Sequence, residues 1–327
     1  MTTDAHESSL PDGADALAAA IRAEVGKAFI GQEDVLDAVM IALLAGGHVL
    51  LEGVPGLGKT LLVRALSQAL RCAHARVQFT PDLMPSDVSG HAVWDARSET
   101  FTVRRGPIFT NLLLADEINR APAKTQSALL EAMQVQQVTI EGNSFPLPPP
   151  FMCLATQNPL ELEGTYPLPE AQLDRFLLKV LIGYPSLVDE KRMVAAVSEG
   201  RTAADFDLSQ VAQVADPAAV LMLQRRAAAV RVDAAVLDYA VRIVAATRAW
   251  PGIALGAGPR GSIALVRAAR AQAMLEGRDF VVPDDVRGIA KPALRHRIAL
   301  APELQIEGQS ADDVLHALLA KVDAPRQ

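Results

Sequence analysis

One segment of the 327-residue chain combines glycines, a lysine and a hydroxyl at a spacing that suits phosphate binding. Residues 53–60 read Gly-Val-Pro-Gly-Leu-Gly-Lys-Thr and fit the pattern G-x-x-x-x-G-K-[ST]. Glycines let backbone N–H groups curve around an anion, Lys59 can reach the β- and γ-phosphates, and the Thr60 hydroxyl can bind Mg²⁺. An apolar run, His48–Leu51, precedes the loop, and an amphipathic helical pattern, Leu61–Leu70, follows it. Strand, loop and helix in this order predict a phosphate-binding loop rather than an ordinary glycine-rich turn.

A pair of acids follows a second apolar run, Leu112–Ala115. Buried parallel strands read as continuous apolar runs, and their carboxyl ends face the ligand crevice. Asp116 could therefore hold Mg²⁺ through water. Successive strand side chains alternate in direction, so Glu117 points elsewhere and could polarise an attacking water. Two solvated acids that end a strand are the competing interpretation, and the upstream phosphate-binding loop favours the first.

Three further polar residues occupy positions where they could meet an anion. Asn158 ends the run Phe151–Ala155 and could orient the water or contact the γ-phosphate, although Asn-Pro is also a common turn. Arg175 follows a short predicted helix and, on its own, would be a surface arginine paired with Asp174. Arg260 opens a predicted helix, where a cation is electrostatically unfavourable. Its position suggests that it is held there to meet an anion.

These residues need a sheet to bring them together. Between residues 48 and 183, strand-like runs alternate with helical patterns, which predicts a parallel sheet covered by helices. The predicted strands are His48–Leu51, Arg76–Thr80, Leu112–Ala115, Phe151–Ala155 and Leu177–Ile182. After Tyr184-Pro185, Ala-rich amphipathic helices take over: Val188–Ser198, Pro217–Ala229, Ala234–Ala249, Pro259–Glu276 and Pro283–His296. We expect a disordered segment over 1–13, an α/β nucleotide-binding domain over 14–184 and a small all-α domain over 185–327.

Two predicted hairpins interrupt the α/β pattern. The first, Val93–Val103, lies within residues 81–105, and the second, Gln137–Leu147, has Gly142-Asn143 as its predicted turn. Loops of this length in a compact domain are more often functional than decorative. Ile140 and Phe145 lie near the tip of the second hairpin and cross no obvious core. We therefore expect these two side chains to contact a partner.

Bulk composition narrows the class of protein. A net charge of −7 argues against a general nucleic-acid binder. Cys72 and Cys153 suit a reducing compartment and lack the spacing of a metal cage. The polar N-terminus does not fit a signal peptide, and the longest apolar stretch, Val35–Leu51, is interrupted by Asp37 and two glycines. We expect a cytoplasmic protein without membrane insertion.

Together these segments resemble the MoxR family of AAA+ ATPases over about residues 15–320. The motifs that carry the resemblance are Phe29–Glu33, the loop 53–60, Leu114–Pro122, Gln126–Met133, Ala155–Pro159, Glu163–Phe176, Gly277-Arg278, Pro283–Val286 and Arg295-His296-Arg297. The run from Glu163 to Phe176 is the most specific of them.

The resemblance implies a role for each candidate residue. Lys59 and Thr60 belong to Walker A, Asp116 and Glu117 to Walker B, and Asn158 is sensor 1. Arg175 resembles the arginine finger that reaches a neighbouring subunit's nucleotide, and Arg260 resembles sensor 2 on the helical lid. Residues implied to contact ATP are Ile30, Gly31, Gly53, Pro55, Gly56, Leu57, Gly58, Lys59, Thr60 and Leu61, with Ile30 and Gly31 near the adenine. Gly258 and Gly261 depart from the family pattern, which usually has Ser and Ala there, so the turn could be looser.

The resemblance also implies an architecture and an activity. We expect a P-loop NTPase αβα sandwich with a five-stranded parallel sheet, two hairpin inserts and a small all-α lid. ATP and Mg²⁺ would be the cofactors, and the protein would be a homo-oligomeric ring, expected to be a hexamer. Family members act like chaperones on protein clients, often with proteins that carry a von Willebrand factor A domain, sometimes during cofactor or metal insertion. The hairpins resemble inserts that face a central pore or a partner.

Other classes of function remain open at this point. An ATP-gated assembly scaffold would need binding but no turnover, and the intact Glu117 counts against it. A nucleic-acid motor should offer cations on its hairpins. In the first hairpin Asp95 and Glu99 flank Arg97, and the second has no Lys or Arg. The composition of both hairpins therefore argues against nucleic acid as a partner. A small-molecule kinase is less expected still, because the sequence indicates no pocket for a phosphoryl acceptor.

Overall fold

The computed structural model describes residues 13–97, 99–159, 164–198 and 208–325. The predicted disordered segment lies outside the described residues except for Gly13, and so does Glu163. Before the lid the helices are α1 (Ala14–Ala28), α2 (Glu33–Leu44), α3 (Lys59–Leu70), α4 (Pro85–Ser89), α5 (Ala123–Val135) and α6 (Glu170–Leu173). The strands there are β1 (Val49–Glu52), β2 (His74–Gln78), β3 (Gly90–Asp95), β4 (Thr100–Arg105), β5 (Leu112–Asp116), β6 (Gln137–Ile140), β7 (Asn143–Pro146), β8 (Met152–Gln157) and β9 (Leu178–Leu181).

A five-stranded parallel sheet forms the centre of the α/β region. Its strand order is β2-β5-β8-β1-β9, and each neighbouring pair is parallel. Each observed strand agrees with its predicted run to within two residues at either end. All five strands therefore present their carboxyl ends at one edge, where a ligand crevice forms in open α/β sheets.

Helices cover both faces of the sheet. Alternate side chains of β1 illustrate the division, since Val49 and Leu51 belong to one core cluster and Leu50 to the other. The first cluster is built with α1, α2 and α3 and continues without a break into the helices after residue 208. The second is built mainly with α5 and includes Phe176. The predicted αβα sandwich is confirmed.

Both predicted hairpins are present, but they differ in burial. In β6–β7 the turn is Glu141-Gly142, one residue earlier than predicted, and both residues have positive φ. Ile140 is buried and Phe145 is half-buried against the second core cluster. The expectation that these two side chains are free for a partner is therefore wrong. They pack down because the pleat aims alternate residues of the short hairpin at the core beside α5.

The hairpin β3–β4 instead stands away from the core. Trp94 and Phe101 are directly opposite each other, 52% and 71% exposed, with ring centroids 5.1 Å apart in an edge-to-face arrangement. Such a pair stabilises the ribbon locally while leaving both rings accessible. Among the described residues, the exposed apolar surface predicted for a hairpin thus lies here.

The C-terminal part is helical, as expected, and also contains a short ribbon that the sequence did not predict. Its elements are α7 (Leu187–Ser198), α8 (Pro217–Ala229), α9 (Ala234–Thr247), β10 (Ile253–Leu255), α10 (Pro259–Leu275), α11 (Pro283–Leu294), β11 (Ala299–Leu300), α12 (Pro302–Ile306) and α13 (Ala311–Leu319). Strands β10 and β11 pair in antiparallel fashion. None of the helices described is both long and apolar enough to cross a membrane.

Candidate functional site

The predicted phosphate-binding loop connects β1 directly to α3. Gly56 and Gly58 adopt positive φ values of 87° and 77°. A residue with a side chain is strained in this conformation, which favours glycine at both positions. Gly58 precedes the first turn of α3, and no side chain caps that helix end. The loop therefore presents the N-terminus of α3 and its backbone N–H groups to the crevice, which suits an anion.

The loop opens into a cleft of about 350 Å³ at the carboxyl edge of the sheet. Predicted residues that line it are Gly53, Pro55, Gly56, Gly58, Lys59, Thr60, Leu61, Asp116, Glu117 and Asn158. Sequence reasoning missed four other lining residues, Arg64, Arg76, Gln78 and Thr156. The structure thus brings the phosphate-binding loop, both acids and the predicted sensor amide into one site.

Lys59 lines this cleft. Its Nζ donates a hydrogen bond of 2.6 Å to the carbonyl of Gly53, at the start of the same loop. Burial lowers the pKa of the Lys59 ammonium, while the carboxylates of Asp116, Glu117 and Glu52 act in the opposite direction. These carboxylates favour the charged form, which is the form that can neutralise phosphate.

Thr156, on β8, connects the two acids at the end of β5. Its hydroxyl donates to Asp116 Oδ1 at 2.6 Å and accepts the backbone N–H of Glu117 at 2.8 Å. Glu117 has a φ of 55°, which is uncommon for a residue with a side chain. The Thr156 hydroxyl therefore supports both the orientation of Asp116 and the unusual backbone that aims Glu117 into the cleft.

Further partners bind Asp116 Oδ2 and Glu117 Oε2. Arg76 on β2 donates to Asp116 Oδ2 at 2.6 Å. Gln78, two residues further along the strand, donates to Glu117 Oε2 at 2.8 Å, and Arg120 lies 3.0 Å from the same oxygen. A signal in the sequence could have identified Arg76 and Gln78. They are alternate polar residues at the carboxyl end of β2, which lies beside β5, the strand that ends in the two acids.

Several candidate residues do not line this cleft. Leu57 is buried in the core beneath the loop. Ile30 and Gly31 are not among the described lining residues, and a Cβ at Gly31 would lie 2.4 Å from the Cβ of Asp189. Their predicted proximity to adenine therefore stays a prediction.

The two candidate arginines also lie outside the described lining. Arg260 Nη1 is 3.6 Å from Asp174 Oδ2, and the Arg260 side chain is about half exposed. Arg175 is half-buried, and its Nε has no hydrogen-bond partner among the described residues. Asp174 does not pair with Arg175, as an isolated surface pair would require. It pairs with Arg297, through a bond of 2.8 Å.

The donor set in the cleft fits a nucleotide with Mg²⁺. Thr60 and Asp116 supply the hydroxyl and carboxylate oxygens that this hard cation prefers, and both line the same cleft. The loop amides and Lys59 supply positive potential for phosphates. Fold and site together define a P-loop protein whose parallel sheet is followed by a helical lid.

Comparisons with known proteins identify the family within this class of P-loop proteins. The profile described as "ATPase family associated with various cellular activities (AAA)" matches residues 48–178, and the profile described as "AAA lid domain" matches residues 245–318. Protein YeaC of Bacillus subtilis, itself uncharacterised, is 46% identical over 303 residues, which cover 93% of each chain. Chaperone MoxR1 of Mycobacterium tuberculosis is 42% identical over 98% of this chain and 87% of its own length.

A solved structure agrees with these relatives. A candidate ATPase from Cytophaga hutchinsonii superimposes with a TM-score of 0.88 at 40% identity and covers 96% of each chain. The chain belongs to the MoxR family of AAA+ ATPases.

Proposed function

We propose that this protein hydrolyses ATP with Mg²⁺ to remodel or activate a protein partner. The observation that carries the proposal is the single cleft in which Lys59 and Thr60 meet Asp116, Glu117 and Asn158. Loop, metal-binding acid, water-orienting acid and polar sensor are the parts that phosphoryl transfer to water requires.

Each residue has a distinct task in this proposal. The loop amides and Lys59 bind the phosphates, while Thr60 and Asp116 hold Mg²⁺, which neutralises charge on the phosphates when bound. Glu117 orients the attacking water, because Gln78 and Arg120 fix its carboxylate through one oxygen. Asn158, buried at the edge of the cleft, contacts the water or the γ-phosphate.

The site is completed by a neighbouring subunit. Arg175 is absent from the described lining of its own cleft, which supports a role at the nucleotide of an adjacent copy. A head-to-tail ring, which we propose to be a hexamer, would repeat this contact around a closed assembly. An arginine supplied in trans is worth roughly 10³–10⁵ in rate. Arg260, on the lid, would sense the bound nucleotide. We place the boundary between the α/β domain and the lid at residue 184.

The output of the cycle is directed at a protein client. The exposed pair Trp94 and Phe101 offers an apolar contact surface on a hairpin that stands away from the core. The similar Mycobacterium tuberculosis protein is named a chaperone, in line with such a role. We propose a von Willebrand factor A domain protein as the first partner to test. We also propose that the protein acts in the cytoplasm. The intact Glu117 favours turnover over an ATP-gated scaffold.

The first test removes the water-orienting carboxylate. Glu117→Gln should bind ATP with nearly unchanged affinity, because Lys59, Thr60 and Asp116 remain, while steady-state phosphate release collapses. Glu131→Gln, on the exposed side of α5, is the matched control and should leave turnover unchanged. Normal turnover in Glu117→Gln would remove this residue from its role.

The second test concerns the arrangement between subunits. Arg175→Ala and Lys59→Ala should each abolish most hydrolysis alone. In assemblies shown by two affinity tags to contain both variants, activity should return in part. About a quarter of the interfaces in a randomly mixed head-to-tail ring pair an intact Lys59 with an intact neighbouring Arg175. No return of activity would mean that Arg175 does not act in trans.

A further inference from the structure

Three consecutive lid residues form hydrogen bonds to the core segment 174–179, which contains Arg175. They are Arg295, His296 and Arg297. The guanidinium of Arg297 is almost fully buried. Its Nε donates to Asp174 Oδ1 at 2.8 Å, and its Nη atoms donate to the carbonyls of Asp174, Phe176, Leu177 and Ala293. The bond to the Phe176 carbonyl measures 2.6 Å. Four of these five acceptor atoms belong to the core segment, 120 or more residues away in sequence.

The two residues before Arg297 also form hydrogen bonds to this core segment. His296 Nε2 lies 3.1 Å from the Phe176 carbonyl, which fixes this nitrogen as the donor. Arg295 donates to the Lys179 carbonyl at 3.2 Å and holds Asp312 of the lid with two bonds. The lid thus holds the backbone on both sides of Arg175, from the end of α6 into β9.

Only one short helical turn precedes Arg175. Helix α6 has only four residues, and Arg175 lies two residues beyond it. Its Nε is buried and makes no hydrogen bond to the described residues, so no bond at that atom fixes the direction of the side chain. The backbone N–H of Arg175 donates to the Gln172 carbonyl at 3.2 Å. On either side of Arg175, Arg297 adds bonds to the carboxylate and carbonyl of Asp174 and to the carbonyl of Phe176.

The chemistry of the anchor favours precise placement over simple stabilisation. A buried ion pair gains little net stability, because the attraction is offset by the loss of water. A planar guanidinium with fixed N–H directions instead constrains geometry, which a lysine cannot reproduce. Asp174 also lies within 3.6 Å of Arg260, so the same carboxylate touches a second lid arginine.

We infer that Arg297 is a positioning residue for ATP hydrolysis, which directs Arg175 through Asp174 and the Phe176 carbonyl. The lid of one subunit then controls the reaction in the cleft of its neighbour. The inference rests on the proposed function, in which Arg175 acts in trans.

Arg297→Lys tests this, because it retains the charge and loses the fork of bonds. A displacement of about 1 Å in a positioned group can cost about 100-fold in rate. We therefore expect kcat to fall about 10- to 100-fold, while the Kd for ATP changes less than about threefold, since no residue lining the cleft is altered. The matched control is Arg278→Lys, which breaks a close two-bond pair with buried Asp285 inside the lid. It should lower the melting temperature and spare kcat.

Mixed assemblies separate positioning from a fold defect. An Arg297→Lys subunit has an intact cleft and a misdirected finger, so a Lys59→Ala neighbour should restore its activity. If Arg175→Ala is rescued by Lys59→Ala and Arg297→Lys is not, the inference fails and the proposed function stands. If neither is rescued, the trans mechanism fails and the inference fails with it. Unchanged kcat in Arg297→Lys also overturns it.

A second variant covers the case in which Arg297→Lys does not bind ATP. Asp174→Asn retains the size of the side chain but loses the carboxylate charge, which weakens the bond from Arg297 Nε. It should bind ATP, lose at least about fivefold in kcat and be rescued by Lys59→Ala, by the same loss of placement. Wild-type kcat in Asp174→Asn would overturn the inference.

Discussion

Protonation of His48 should destabilise the segment that leads into the phosphate-binding loop. His48 immediately precedes β1 and is buried. Its Nδ1 accepts the backbone N–H of Cys153 at 3.0 Å, and its Nε2 donates to the Met133 carbonyl at 3.0 Å. Both nitrogens are thus used by the neutral ring with its proton on Nε2. A second proton would have to displace the Cys153 bond and bring a charge into the core.

The direction of the pH effect follows from this geometry. Burial lowers the pKa of His48 from 6.5 to about 4. Between these two values the unfolded chain binds a proton that the folded chain does not. Stability from this group is therefore complete above about pH 6.5 and is lost as the pH falls toward 4. The contribution amounts to about 3 kcal/mol in full, and about 2 kcal/mol of it is lost between pH 7 and 4.5.

Urea unfolding of wild type and His48→Gln at several pH values measures this contribution. The variant is expected to be less stable at pH 7, because the N–H of Cys153 loses its acceptor. The informative quantity is the difference between the two proteins, in which carboxylates and His296 cancel. This difference should shrink by about 2 kcal/mol on going from pH 7 to 4.5. Parallel profiles would refute the assignment of a neutral, doubly bonded His48.

Other substitutions test the site and the hairpins. Thr156→Val should cost about 1–3 kcal/mol in stability, because the Glu117 N–H loses its acceptor. It should also lower kcat about tenfold with little change in ATP affinity, since Asp116 loses a bond as well, and a normal kcat in phosphate-release assays would contradict this. Ile140→Ser should lower the melting temperature by several degrees, as removal of a buried side chain costs about 2–5 kcal/mol. Phe101→Ser should cost at most about 1.5 kcal/mol, the value of its exposed aromatic pair, and weaken partner-stimulated turnover. Equal melting of the two variants would contradict the different burial of the hairpins.

The strands of the sheet were predictable because their apolar runs are continuous. Runs such as Leu112–Ala115 are buried on both faces and end in polar residues at the ligand edge. The least accurate prediction was β2, which begins two residues earlier than expected. Strand β2 lies at the edge of the sheet, and His74 is exposed there. An edge strand needs no continuous apolar run, so its start leaves little trace in the sequence.

Contacts between distant segments were not predictable. The burial of Ile140 depends on how its hairpin packs beside α5, and alternation alone does not say which face is covered. The bond between Asp174 and Arg297 joins residues 123 apart in the chain. The ribbon β10–β11 has strands of three and two residues, too short for a periodic signal. The phosphate-binding loop, in contrast, is local, so spacing sufficed to identify it.

The core cluster that runs from the sheet into the lid has a consequence for how the chain folds and moves. Helices α1 and α2 pack against α8 and α10, so the boundary at residue 184 is not a boundary in the packing. A truncated α/β unit would expose this apolar surface and should aggregate. Close-packed interfaces switch between discrete arrangements and do not deform continuously. Any response of the lid to nucleotide therefore has to be a switch between alternative packings. Nucleotide can drive this switch only if its binding free energy differs between the two packings by more than the free energy of repacking.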